Sequence, residues 1–365
     1  MEHKTIFLIS TGIFILATIS AYFLSSPSLG PELNETCNEM HFSSESSINL
    51  VFFGKEEEAE AYSNELFATS PFDKLKESFN IYYIDSEIKC EYYKEIALYC
   101  YSRNLLKRAD ICPNDYIFVV KEDEDKIRSS SYLNVMSINM KNPISVIAHE
   151  FGHSFANLAE EYTPAKLPKK SENCVKECKQ FNNKSDGCFK GCSESNYYRS
   201  IDSGLMKTLY SSNFGTFNEF LIENKIKKTS KTTITGNAIQ SQDSCENQLY
   251  YLILADYSSG KLTIKDKQIE QGCAGANGEG SFSYSVLDKY DNLIESSSFN
   301  PELIFTDSQT QEQDEISGET YNYEGELYLR VPAPSQAQTL EIYDQEQKIA
   351  SLQIDNIEGR PCKIE

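Results

Sequence analysis

Ala148-His149-Glu150-Phe151-Gly152-His153-Ser154-Phe155-Ala156-Asn157-Leu158-Ala159-Glu160-Glu161-Tyr162 decides the reading of this chain. It contains H-E-x-x-H in a segment of helical character. On an α-helix, residues four apart lie about 40° apart around the axis and about 6 Å apart along it. His149 and His153 therefore face the same way and can share one metal ion. Glu150 sits beside them, where a carboxylate can take a proton from a metal-activated water. Start signals stand upstream: Asn142 is a good N-cap and Pro143 suits the first helical position. Ile144, Val146, Ile147, Phe151 and Phe155 supply the buried side.

Two imidazoles alone hold a metal weakly. Catalytic zinc usually takes three protein ligands and keeps one position open. The chain has only 4 His, and His3 and His41 lie far upstream, so the third ligand is expected to be a carboxylate. Glu160 and Glu161 are the near candidates. In a straight helix Glu160 would sit about 10 Å beyond His153, against a zinc–carboxylate bond of about 2.0–2.2 Å. The helix must therefore end near Asn157, a residue type that tolerates the left-handed conformation of such endings. Glu160 is the first choice as ligand and Glu161 the alternative. As the non-ligand, Glu161 could orient a His or Tyr162.

HEFGHSFANLAEEY resembles the signature of the IgA-peptidase-like zinc metallopeptidases, a metzincin-related family, and the resemblance extends over about Ile48 to Lys228. It implies a zincin-like catalytic domain with a mixed sheet, Zn2+ as cofactor and peptide-bond hydrolysis. By the same resemblance Glu160 stands in place of the family's Asp, Glu161-Tyr162 match its Glu-Tyr, and Met206 looks like a residue beneath the metal. The chain also departs from the common metzincin pattern. Ala156 and Ala159 replace a Gly and a His, and Glu is one methylene longer than Asp.

Around this stretch the pattern is one of strands and helices in alternation. Ile48 to Gly54, Phe79 to Ile84, Asp115 to Lys121 and Ser130 to Asn139 read as strands. Lys55 to Ala68 and Glu91 to Arg108 read as helices. The fold class expected is α/β (α+β), with the H-E-x-x-H helix packed on a mixed sheet. After residue 245 the pattern turns all-β, with short alternating strands that suggest an Ig-like sandwich. The expected organisation is a cytoplasmic tail (1–4), a transmembrane anchor or signal segment (5–24), a linker (25–47), the metallopeptidase domain (48–228), a second linker (229–244) and the β-sandwich (245–365).

Thr5 to Leu24 carries no charge and is long enough to span a bilayer core of about 30 Å. Lys4 precedes it and no Lys or Arg follows before Lys55, which places the rest of the chain outside the cell. Secretion after signal cleavage is the alternative. The 11 Cys fit an oxidising compartment. Cys174-x3-Cys178 and Cys188-x3-Cys192 could pair as a hairpin on facing helices, 174 with 192 and 178 with 188, or hold a structural zinc. Cys245 and Cys273 could cross-link the sandwich, while Cys37 reads as unpaired or intermolecular. A net charge of -21 argues against nucleic-acid binding, because phosphate contacts need Lys and Arg.

The function expected is therefore a membrane-anchored, outward-facing zinc endopeptidase acting on protein or peptide substrates, with Glu150 as general base. The alternative is a catalytically inactive cell-surface binding or adhesion protein that works through its β-sandwich.

Overall fold

The chain enters through β1 (Asn38–His41) and β2 (Ile48–Phe53), crosses α1 (Glu56–Ala68) and returns in β3 (Phe79–Ile84). A small hairpin, β4 (Glu91–Tyr93) and β5 (Ala97–Tyr99), leads to α2 (Arg103–Ala109), then to β6 (Tyr116–Lys121), β7 (Ser129–Tyr132) and β8 (Val135–Asn139). The computed structural model describes residues 35–235 and 245–354. β2 is INLVFF and is buried along almost its whole length, as a central strand covered on both faces must be. It pairs in parallel with β3 and β6, β6 pairs in parallel with β8, and β7 folds back antiparallel on β8.

Period-2 alternation sends these side chains to two cores. Leu50, Phe52, Phe79, Ile81, Phe118, Met136 and Ile138 face one side and pack under α1 and α3 (Val146–Ala156). Val51, Phe53, Ile84, Ile117, Val119 and Val135 face the other side. α3 is buried from Val146 to Phe155. Phe151 and Phe155 stack at 4.9 Å and pack against Phe72, Phe79 and Tyr116. Burying each of these rings contributes roughly 1.5–3 kcal/mol, so the helix that carries His149 and His153 is anchored by its aromatic side.

A strand hairpin follows, β9 (Phe189–Cys192) and β10 (Glu194–Arg199), and then α4 (Thr216–Thr235). The last part of the chain forms β11 (Leu249–Ser258), β12 (Lys261–Gln271), β13 (Phe282–Leu287), β14 (Leu293–Phe299), β15 (Leu303–Asp307), β16 (Glu319–Asn322), β17 (Gly325–Pro332), β18 (Thr339–Asp344) and β19 (Gln347–Gln353). Seven of these strands make two sheets, β12-β11-β17 and β14-β13-β18-β19. Tyr251, Ile253 and Leu329 of the first sheet meet Phe282, Tyr284 and Ile342 of the second in one core, and that core continues into Val51, Phe53 and Tyr132 of the first half. β15 and β16 leave the sandwich and complete the first sheet, whose order is β1-β3-β2-β6-β8-β7-β15-β16. The described residues from Thr36 onward cluster as one compact unit.

This architecture corrects the expected fold class. Strands make up 36% of the structure and helices 19%, so the protein is mainly β rather than an α/β zincin-like domain followed by a separate sandwich. Two misread segments account for much of the difference. Glu91 to Arg108 is a hairpin closed by the Cys90–Cys100 disulfide and followed by the short α2, not one helix. The Cys174–Cys192 region is a short 3-10 turn and the β9–β10 hairpin, not two facing helices. In the other direction, α4 runs on to Thr235 through residues expected to be a linker. The expected span from Thr5 to Leu24 lies outside the described residues. Among the described residues, no helix is long and apolar enough to cross a membrane.

Candidate metal centre

α3 begins at Val146, with Ser145 at its N-cap, three residues later than Pro143 suggested. It ends at Asn157, whose φ of 50° and ψ of 36° are left-handed. Its backbone N–H donates to Gly152 O and His153 O, which turns the chain back on itself. The returning segment is clamped from outside. Asn173 accepts from the Ala159 N–H at 2.7 Å and donates to Ala159 O at 2.9 Å. Ser193 donates to Glu160 O at 2.9 Å, and the Cys174–Cys192 disulfide ties together the two segments that carry these clamping residues. This loop brings Glu160 back over the His pair.

His149, His153, Glu160 and Asp307 form one buried group whose ligand atoms all lie within 4.8 Å of one another, and this group can hold a metal ion. The two Nε2 atoms are 3.1 Å apart. Glu160 Oε1 is 3.0 Å from His153 Nε2, and Glu160 Oε2 is 3.7 Å from His149 Nε2. Asp307 Oδ2 is 3.4 Å from His149 Nε2 and 3.9 Å from His153 Nε2. Four donors bound tetrahedrally to zinc at about 2.0–2.2 Å would be about 3.3–3.6 Å apart. The observed spread brackets that spacing.

The surroundings fit a cation as well. His149 Nδ1 lies 3.0 Å from Leu205 O, and His153 Nδ1 lies 2.7 Å from Leu158 O. A carbonyl can only accept, so each Nδ1 carries a proton, and in the neutral form that binds a metal each Nε2 then offers a lone pair inward. Glu160 Oε1 and Oε2 and Asp307 Oδ2 are buried without a hydrogen-bond partner among the described residues. Unpartnered carboxylate oxygens in a dry site are costly, and a bound cation supplies the missing partner.

Charge and burial pull these groups apart. Burial opposes a proton on His149, but the Asp307 and Glu160 carboxylates outweigh it and raise its pKa to about 9. Burial and the neighbouring His149 lower that of His153 to about 3. Asp307 is held below its ordinary value: burial opposes ionisation, and His149 overcomes it.

Glu150 lies on the same helix, fully buried, and neither carboxylate oxygen has a hydrogen-bond partner among the described residues. Burial raises its pKa well above the carboxylate range, and Asp307 adds to the rise. The Ser131 hydroxyl is near enough to pull the other way without making a hydrogen bond of normal geometry.

The other expected residues are placed around this centre. Glu161 points away from it and accepts from Asn218 Nδ2 at 2.8 Å and Asn173 Nδ2 at 3.4 Å, while its N–H donates to Met206 O at 2.9 Å. Burial raises its pKa to about 7. Met206 lies beneath α3, where a Cβ added at Gly152 would meet its Sδ at 3.2 Å and the Phe214 ring at 2.9 Å. Gly152 is therefore what lets this floor approach the helix. Tyr162 donates to Asp307 Oδ1 at 3.1 Å and so orients that carboxylate. His41 is on β1, at the opposite edge of the sheet.

The cysteines form Cys174–Cys192, Cys178–Cys188 and Cys245–Cys273, so the CxxxC pairs hold disulfides and not a zinc. Cys37, expected to be unpaired, is bonded to Cys112. With Cys90–Cys100 this makes five bridges among the described residues, which suggest an oxidising, extracellular or secreted environment. Cys362 lies outside the described residues. Asp307 had no local signal in the sequence. It ends a short apolar run far from the motif, and only the pairing of β15 with β7 delivers it. Comparison with protein-family models and with curated proteins finds no match to this chain.

Proposed function

We propose that this protein is a zinc-dependent endopeptidase that works outside the reducing cytosol. One observation carries the reading. An uncommitted, buried Glu150 stands on the helix that presents both imidazoles, and a returning loop adds Glu160 to them. His149, His153 and Glu160 would hold the zinc, as the resemblance to IgA-peptidase-like metallopeptidases also implies. Bound there, zinc would polarise a scissile carbonyl and make water a stronger acid. Glu150 would accept the proton from the attacking water and pass it to the leaving amine. Glu150 is wholly buried, so bulk water would not compete for the proton it carries between these steps. Tyr162 and Glu161 act through others: the first orients Asp307, and the second ties the ligand loop to the Leu205-Met206 floor.

One observation favours a second reading, a non-catalytic binding protein with a structural metal. Asp307 adds a fourth protein donor, and closed four-ligand sites are typical of structural zinc. The two readings separate on Glu150→Gln. The endopeptidase reading expects full metal content and loss of cleavage of an unfolded protein substrate. Metal retained, with hydrolysis the same whether Glu or Gln is present, would favour the structural role.

A further inference from the structure

We propose that β15 is an internal inhibitory strand, occupying the groove where a substrate peptide would lie, with Asp307 filling the metal position that the reaction needs. What the groove is for rests on the endopeptidase reading. That the groove is filled does not.

Without residues 303–322, the sheet would end at β7, leaving its outer row of backbone groups open. An open edge strand is a template for an added extended peptide. β15 takes that place antiparallel, with Phe305 opposite Ser131, Thr306 opposite Ser130 and Asp307 opposite Ser129. The peptide it would exclude is an extended polypeptide segment of the same kind. Phe305 lies flat on the His153 ring, with centroids 3.9 Å apart and planes 11° apart. Asp307 Oδ2 faces both Nε2 atoms. His149, Glu150, Glu160 and Asp307 are all 0% exposed, and the cavity bordered by Ser131, His153, Ser154 and Phe305 has a volume of about 10 Å³. That is room for about one water and no peptide. Four protein donors also leave a tetrahedral ion no open position.

The strand is held by contacts that can be undone. No disulfide among the described residues involves any position from 274 to 354. The tethers include the ladder to β7, the Phe305–His153 stack, the Tyr162–Asp307 and Tyr257–Glu302 hydrogen bonds, the Lys169–Glu302 and Lys207–Glu315 ion pairs, the Ile316 N–H to Lys207 O, and Gln309, which accepts from Thr208 and Leu209. Immediately after it, residues 310–315 are exposed, polar and outside any strand. Release of a segment so held, by a partner or by a cut at 310–315, needs no covalent change elsewhere in the fold. Exposed loops of this kind are preferred sites of nicking.

The test replaces the metal with cobalt in the full chain and follows its visible spectrum as acetohydroxamate is added. The parent spectrum is expected to stay unchanged, because no position is open. Asp307→Ala is expected to give a spectrum that shifts with acetohydroxamate. Asp307→Asn, which keeps the shape should the Ala variant fold poorly, is expected to do the same with a weaker closing donor. Hydrolysis of a denatured labelled protein should rise at least about tenfold in these variants, the smallest gain that releasing a well-populated closed state would give. A parent spectrum that already responds to acetohydroxamate overturns the proposal, and so do folded variants that remain unresponsive. Variants that open but hydrolyse nothing uphold the inhibitory strand and sink the endopeptidase reading. A parent that hydrolyses as fast as its variants does the reverse.

Discussion

Phe305→Ala tests how firmly the closing strand is held. Phe305 is 5% exposed and stacks on His153, so its ring joins β15 to the helix that carries both imidazoles. Removing a buried Phe ring costs about 3–5 kcal/mol when the surroundings cannot collapse. Tenfold in an equilibrium is about 1.4 kcal/mol, so the full cost falling on β15 alone would raise its open population by about 10²-fold to a few thousandfold. Hydrogen exchange reads this directly. The amides of β15 and of its partner β7 should exchange faster by about that factor, while those of β2 and β6 should change little. Metal transfer to a competing chelator should accelerate in parallel. A melting temperature that falls while β15 still exchanges only with the central strands would show that β15 does not open on its own. The strand would then be an integral part of the sheet, opening only when the whole protein unfolds.

Glu160→Ala should lose the metal, whereas Glu161→Ala should keep it and cost about 1–3 kcal/mol through the stranded amides of Asn218 and Asn173; metal analysis and denaturant titration separate the two. Gly152→Ala should destabilise by about 1–3 kcal/mol in thermal unfolding, since its Cβ meets Phe214 at 2.9 Å with little room to move. Asp110, beside the Tyr250 hydroxyl and 6% exposed, has its pKa raised by burial from 3.8 to about 6. It binds its proton more tightly folded than unfolded, so its contribution is whole below the ordinary carboxylate range and fades as pH rises through about 6. Asp110→Asn should flatten the fall in stability between pH 4 and pH 7 by an amount on the order of 2–3 kcal/mol, measured by urea unfolding at each pH.

The part of the site written locally was legible. His149 and His153 share a helix face because they are four apart, and helix geometry required the break that Asn157 makes. Glu160 then had to come from the loop that follows. Asp307 was out of reach because no periodicity links it to the motif, and its place depends on a pairing of segments more than 150 residues apart. The fold was legible in its central strands, whose apolar runs leave little choice. It was misread where a helical spacing of Ile96, Leu98, Cys100, Leu105 and Leu106 hid a Tyr-rich hairpin and a short helix. The Cys174–Cys192 region shows the opposite case. Its nested disulfides follow from antiparallel return alone, so the pairing came out the same although helices were expected and strands are present.

Whether His149, His153 and Glu160 hold a metal ion is read by counting metal in the purified, folded chain. About one zinc per chain is expected, lost in His149→Ala, His153→Ala and Glu160→Ala and retained in Glu150→Gln. Well-folded protein that holds no metal when zinc is supplied, or zinc retained after both imidazoles are removed, would contradict a metal site there.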